Sequence, residues 1–349
     1  MKAHAATEIL TRHEHIVRRR TMLVVTIAVM TLLAVLLDLV TGPSGLTFSD
    51  LWKALTLQPD ASRASSVIVW SVRLPIAVMA ALVGAALSLA GTEMQTALEN
   101  PLASPFTLGV SSAAALGASL AVVLGISLPL VPPHLSVAAN AFVFAFASVL
   151  LLQYFTRGGA RVETLVLYGI ALVFTFNALV ALVQFVASPD ALQQLVFWGM
   201  GNLGATNWQT VAALCAVLIV VCPFSLAAAS KMTALRLGEE RAASFGIDIA
   251  RLRFYSLLRV SLLAATAVAF VGIVGFIGLV GPHIARLLVG EDHRLLMPAS
   301  AFSGALIMSL ASVASKTLVP GMLLPVGIVT SLVGLPFFFI LIHRSRAVS

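Results

Sequence analysis

Ten apolar runs, nearly all close to the length needed to cross a lipid hydrocarbon core, divide this chain. They fall at 21–40, 67–98, 106–128, 134–155, 164–187, 208–230, 255–273, 277–289, 298–317 and 325–343. A membrane-spanning helix needs about 20 predominantly apolar residues. Lipid offers no partner for backbone N–H and C=O groups, so segments of this kind must hydrogen-bond within themselves. The expected fold is therefore all-α, a polytopic membrane helix bundle of about ten transmembrane helices. The eighth run is the weak link: Gly272, Gly275, Gly278 and Gly281, followed by Pro282, read as a broken turn.

With 60% hydrophobic and 10% charged residues, the chain cannot be an ordinary soluble domain, where about 25% charged is usual. Its formal charge of +7 raises the question of nucleic acid, but no basic run is interleaved with exposed aromatics, so no nucleic-acid partner is expected. In a membrane protein the basic residues report orientation instead. With the first helix running outward, seventeen Lys and Arg lie on the cytoplasmic side; Lys53, Arg63, Arg73 and Lys316 remain outside. Both termini are then cytoplasmic. The chain divides into an N-terminal tail, 1–21, and a single transmembrane domain, 22–349, whose stretch 231–254 faces the cytoplasm. The first apolar run has no small-residue cleavage site after it and reads as a retained helix.

That stretch is the one long polar island. KMTALRLGEERAASFGIDIARLR (231–253) carries five basic and three acidic residues between runs that span a bilayer, and Gly238 and Gly246 punctuate it. Ala242, Phe245, Ile249 and Leu252 recur at three- and four-residue spacing, the signature of short amphipathic helices, with Asp248 placed to cap the second. A narrow apolar stripe in water asks for a packing partner, so the island is read as a docking surface for a soluble protein. The simpler reading is an amphipathic loop lying on the headgroups.

Other motifs are weaker. GMGNLG (199–204) matches the dinucleotide fingerprint, yet no strand precedes it and no acid follows at the required distance, which leaves a glycine-rich turn. No glycine precedes a lysine, so the chain has no P-loop and any ATP must be hydrolysed on another polypeptide. Cys215 and Cys222 share a helix face and are expected to be buried; His13 and His15 belong to a solvated tail. Among the acids, Asp38 lies near the outer end of its run and is expected to snorkel to water, whereas Glu93 is placed to bond a neighbouring helix. Ala80, Gly84 and Ser88 repeat every four residues and favour close helix contact. The stiff turn Asn100-Pro101-Leu102-Ala103-Ser104-Pro105 is either an ordinary connection or a gate element.

Four ordered stretches resemble the FecCD-type permeases of ATP-binding-cassette importers: 73–120, 237–247, 275–298 and 324–338. That resemblance implies a ten-helix subunit functional as a dimer, homodimeric or heterodimeric, with two cytoplasmic ATP-binding-cassette subunits and an extracytoplasmic substrate-binding protein in the inner membrane of a cell. ATP and Mg would belong to the partner ATPase, and this chain would bind no cofactor and catalyse no reaction. By the same resemblance, Leu237, Gly238, Glu239, Glu240, Arg241, Ala242, Phe245 and Gly246 form the region coupled to the ATPase. Asn100 and Leu102, with Val162 and Glu163 at the start of the fifth span, match the cytoplasmic gate. Arg73 and Lys316 match basic positions that dock the binding protein, and Arg63 is a substitute because Ile76 stands where the family commonly has a second arginine. Phe174, Phe176, Asn177, Gln184 and Phe185 would line the translocation path.

The resulting expectation is a permease importing an iron chelate, with siderophore first, then haem or cobalamin. The alternative is a secondary ion-coupled transporter, told apart by uptake that survives loss of cassette ATPases and collapses with the ion gradient. A membrane enzyme is the third reading, but no nucleophile and base pair stands at plausible depth.

Overall fold

The computed structural model describes residues 2–155, 162–319 and 321–346, with the side chains of 2–13, 162, 337–338 and 340–346 outside that description. Every regular element among them is helical. The chain runs through α1 (Lys2–Val40), α2 (Phe48–Leu55), α3 (Arg63–Val67), α4 (Leu74–Ala97), α5 (Val110–Leu124), α6 (Ser136–Phe155) and α7 (Val162–Phe185). It continues as α8 (Pro189–Gly199), α9 (Trp208–Leu235), α10 (Glu239–Ser244), α11 (Ile249–Val271), α12 (Ile277–Val289), α13 (His293–Thr317) and α14 (Val326–Arg346). Seven helical segments are long and apolar enough to cross a membrane, and α5, α12 and the start of α14 are shorter apolar helices. Each falls on one of the ten expected runs.

The bundle is organised around α4, which is buried along almost its whole length and packs against α13, α11, α12, α9 and α1. Small residues make that density possible. A Cβ on Gly84 would stand 2.2 Å from the Gly304 carbonyl oxygen, and one on Gly91 would stand 1.8 Å from that of Gly278. Lipid supplies no hydrophobic drive between helices, so close backbone approach and interhelical hydrogen bonds hold them instead. Ser88 Oγ lies 2.8 Å from Ser300 Oγ and donates to the Ser300 carbonyl at 2.7 Å; Thr92 Oγ1 donates to Ser300 Oγ at 2.6 Å.

Several elements depart from the sequence reading. The connection 41–66, which joins the first two apolar runs, carries short helices of its own. Thr47 and Asp50 form a capping box that starts α2, whose Leu51 and Ala54 bury against Val69. A π-helical stretch, Ile68–Arg73, joins α3 to α4. Short α8 separates the fifth and sixth spans, and the third span is shortened to α5 because Gly109, at φ +85°, breaks the chain after the 3-10 turn Pro105–Leu108. The N-terminal tail and the first span are one continuous helix, α1. The glycine break before α12 is real: Gly272 has φ +77° and Phe276 caps the helix at φ +65°. Cys215 and Cys222 are free and half-buried rather than buried, because α9 turns one face outward.

Candidate functional site

The polar island folds as an elbow between two spans. Its first residues, Lys231–Leu235, belong to α9 and its last, Ile249–Arg253, to α11, so the non-spanning part narrows to 236–248. Gly238 (φ +103°) and Gly246 (φ +77°) make the two bends, conformations that a β-carbon disfavours. Between them α10 is a short helix whose Ala242 is completely buried. Asp248 caps α11 by accepting from the Arg251 N–H at 2.9 Å, as its position in the sequence predicts. Of the apolar stripe, Ala242 and Leu252 face inward, Ile249 is half-buried and Phe245 (65%) is exposed; Leu237 (54%), outside the stripe, is exposed at the other end of α10. Glu239, Glu240 and Arg241 are also exposed.

Arg253 ties this elbow to the turn after α4. Its Nε donates to the Ala97 carbonyl at 2.8 Å, and its Nη2 donates both to Glu99 Oε1, at 3.0 Å, and to Glu239 Oε1. Glu99 is held at φ +46°, an uncommon conformation for a residue with a side chain. One guanidinium therefore joins α10, α11 and the end of α4. Burial holds the Glu99 carboxyl above the ordinary carboxylate value, with Arg253 opposing and Glu239 adding to the rise.

The turn that follows is stiffened as its prolines suggest. Asn100 Oδ1 accepts from the Leu102 N–H at 2.9 Å, and Leu102 is exposed. Asn100, Leu102 and Phe106 line one side of a cleft of about 400 Å³; Val166, Ile170 and Val173 of α7 line the other. The turn and the first turns of α7, separate in sequence, thus meet. Glu163 is exposed at the start of α7, and the side chain of Val162 lies outside the described residues.

Beneath the elbow, ionic groups are paired across helices. Glu93, fully buried on α4, accepts from Arg259 Nε and Nη2 of α11 at 2.6 to 3.0 Å. Arg286 of α12 donates to Gln95 Oε1 at 3.1 Å and pairs with Glu291 at 3.2 Å, while Arg236 reaches Glu291 at 3.0 Å. His293 Nε2 lies 2.7 Å from Thr96 Oγ1. The sequence indicates only that Glu93 bonds a neighbouring helix; the other partners are set by packing alone.

At the opposite end the expectations need correcting. Asp38 does not reach water: it is completely buried, accepting from Lys316 Nζ at 2.8 Å and from Ser312 Oγ at 2.9 Å. Lys316 is consumed in that pair, with only 6% of its side chain exposed. Arg73 is 4% exposed and donates to the Val40 carbonyl at 2.7 Å and to Ser44 Oγ at 2.7 Å, bracing the loop after α1. Lys316 thus satisfies the buried Asp38, and Arg73 is spent on the Val40 carbonyl and Ser44, so neither side chain stands free at the surface in this conformation. Arg63 is exposed.

On α7, Phe174 (70%), Asn177 and Phe185 (88%) are exposed, whereas Phe176 and Gln184 are half-buried. The five residues expected to line a path are therefore split between an outward face and a packed one. Among the described residues, no group of three His, Cys, Asp or Glu side chains is arranged to hold a metal ion.

Residues 30–344 match the model of the FecCD transport family. The chain belongs to the FecCD transport family. Among similar relatives of this FecCD chain, the hemin transport system permease protein HmuU of Yersinia pestis is 35% identical over 306 residues, covering 87% of this chain and 90% of that one. The Fe(3+) dicitrate transport system permease protein FecD of Escherichia coli is 33% identical over 296 residues, covering 84% and 91%. The vitamin B12 import system permease protein BtuC of Salmonella typhi is 35% identical over 332 residues, covering 94% and 97%. A solved inward-facing conformation of an ABC transporter assigned to the metal-chelate type superposes with a TM-score of 0.82 at 28% identity, covering 93% of this FecCD chain and 99% of its own. A FecCD member with these spans is a multi-pass membrane permease subunit of an ABC transporter.

Proposed function

We propose that this chain is the permease of a binding-protein-dependent importer that carries an iron chelate into the cytoplasm, with siderophore-bound iron as first substrate and haem or cobalamin next. Relatives named for hemin, ferric dicitrate and vitamin B12 transport support that class of cargo. Two such chains, identical or sister subunits, enclose the path; two ATP-binding-cassette subunits sit on the cytoplasmic side and supply ATP hydrolysis with Mg; a substrate-binding protein delivers cargo from outside. Both termini and the elbow 236–248 face the cytoplasm of a cell bounded by this inner membrane, in keeping with the excess of basic residues there.

The observation that carries the reading is the exposed pair Leu237 and Phe245 flanking α10, on an elbow that Arg253 fastens to the turn at Asn100. Apolar side chains exposed in water at both ends of a short, internally anchored helix fit a groove in a soluble partner. Force applied to α10 passes through Glu239, Arg253 and Glu99 to the cleft between Asn100 and α7, where closure would seal the cytoplasmic gate with Leu102. The exposed face of α7, bearing Phe174, Asn177 and Phe185, is the wall offered to the second subunit and to passing cargo. Outside, Arg63 is the exposed cation placed to meet the binding protein, while Arg73 braces the loop after α1 and Lys316 pairs with Asp38.

The test is uptake by the reconstituted complex, offered ferric siderophores, haem and cobalamin in parallel. ATP-dependent uptake of one of them is expected, and charge reversal at Glu239 and Arg241 should leave hydrolysis running while uptake stops. Uptake that continues without the ATPase and follows an ion gradient would replace this reading with the secondary-carrier one.

A further inference from the structure

A cleft of about 770 Å³ opens between α9 and α11, away from the gate cleft. Its upper walls are Val220, Phe224, Leu258 and Leu262; Lys231 and Arg251 stand at its lower mouth. The distance from Lys231 to Val220 along α9 is eleven residues, about 16 Å at 1.5 Å per residue. One leaflet contributes about half of a 30 Å hydrocarbon core, or about 15 Å. The cleft thus runs from the headgroup level to mid-membrane, a depth that a soluble protein does not enter.

We propose that this cleft binds one anionic phospholipid, its phosphate against Lys231 and Arg251 and an acyl chain between α9 and α11. Charge complementarity supports this occupant. Lys231 and Arg251 are exposed, and Arg259, deeper in the cleft, is neutralised by Glu93. Asp248 is the acid at the mouth; it accepts from the Arg251 N–H and lies 3.8 Å from Arg251 Nε, so it orients that guanidinium while cancelling part of its charge. Walls of this kind need apolar cover, and a cation near the cytoplasmic membrane surface attracts anionic lipid. Since the lower rim, Gly246 to Asp248, is continuous with the elbow, a bound lipid would brace the hinge at Gly246.

The experiment uses the full-length chain, purified in detergent and stripped of lipid, and follows its melting temperature on titration with phosphatidylglycerol, phosphatidylcholine or soluble glycerol phosphate. Phosphatidylglycerol should raise the melting temperature at least tenfold more potently than phosphatidylcholine, and glycerol phosphate should have no effect. Lys231→Gln/Arg251→Gln should lose most of that preference, whereas Arg19→Gln, exposed on α1, should keep it. Leu258→Trp, which fills the cleft and leaves both cations, should weaken binding of both lipids at least tenfold. Equal response to the two lipids, full response to glycerol phosphate, or equal losses in Arg19→Gln would overturn the proposal. So would an unchanged preference in the double variant, or unchanged binding in Leu258→Trp should the double variant not fold. A Leu258→Cys thiol, with Cys215 and Cys222 replaced by serine, should be shielded from maleimide by phosphatidylglycerol. Shielding by the ATPase or by a second copy with lipid absent would assign the cleft to that protein instead.

Discussion

Arg253 Nη2 lies 3.0 Å from Glu99 Oε1, joining residues 154 positions apart and closing the path from the polar elbow to the turn after α4. The guanidinium also holds Glu239 and the Ala97 carbonyl, and only 13% of its side chain is exposed. Hydrogen bonds to charged groups contribute about 1.5–3 kcal/mol each when one partner is removed. Arg253→Gln is therefore expected to cut transport at least tenfold while the ATPase continues to hydrolyse, measured as uptake per ATP consumed in proteoliposomes. Equal loss of uptake and hydrolysis would mean that the residue only holds the fold together.

The same pair has a pH signature. Burial raises the Glu99 carboxyl above its ordinary 4.5, so the folded chain takes up a proton there before the unfolded chain does. This group's contribution to stability is therefore greatest at and below 4.5 and falls as pH rises through the raised value. The ion pair behaves oppositely, being present above the raised value and lost below it. Acidification from neutral should lower uptake per ATP before it lowers the melting temperature, and Glu99→Gln should flatten that dependence. A Glu99→Gln profile identical to wild type would remove Glu99 from the coupling path.

Asp38 and Lys316 make the second decisive pair. Both are buried, and removal of one partner from a buried ion pair leaves an uncompensated charge at a cost of about 3–5 kcal/mol. Lys316→Met should lower the melting temperature strongly, and Asp38→Leu with Lys316→Met should recover most of it, since apolar replacements of a whole pair are often neutral. The double-mutant cycle reads this directly. Additive losses would mean that the two side chains act independently.

Spans and elbow were legible because hydrophobic run length and polar interruption are local properties of sequence, and Asp248 capping depends on neighbours three residues away. Partners across helices were not. Glu93 finds Arg259 166 positions later and Asp38 finds Lys316 278 positions later, distances that no periodicity encodes. That is why Asp38 read as a snorkelling acid, its partner lying far along the chain. The shared cleft of Asn100 and α7 likewise became visible only when packing brought the two together. Short α2 and α8 leave little local signal, because their polar caps, Thr47 and Ser188, sit in stretches whose composition resembles loop.

Glycines separate packing from sequence motif. Gly84→Ala would press a methyl to 2.2 Å from the Gly304 carbonyl oxygen, between the backbones of α4 and α13. Overpacking of this kind costs about 1–3 kcal/mol and more where the obstruction is backbone. Within GMGNLG, Gly201→Ala should also fail, because φ is +72° and Ile273 O lies 2.5 Å from the added carbon. Gly199→Ala meets nothing within 4 Å and should melt like wild type. Melting in detergent would show this order, whereas a nucleotide-binding loop would tolerate neither substitution in a binding assay.

Leu237 and Phe245 test whether the elbow is a docking element or a headgroup anchor. Both are more than half exposed, so Phe245→Ala and Leu237→Ala remove little packing and should change stability by no more than about 0.5 kcal/mol. An aromatic anchor at the centre of a protein interface is worth about 2 kcal/mol or more, which is roughly a thirtyfold change in affinity. Pull-down of the cognate ATPase by Phe245→Ala should fall accordingly, while association with liposomes is unchanged. The headgroup alternative gives the reverse pattern: intact ATPase binding with weakened attachment of the elbow to lipid, read from quenching of a fluorophore at residue 244 by lipid-borne quenchers. Because α10 is fastened to Arg253 through Glu239, loss of the anchor at Phe245 should also reduce uptake more steeply than hydrolysis. That ranking distinguishes a lever that has lost its grip from an ATPase that has lost its activity.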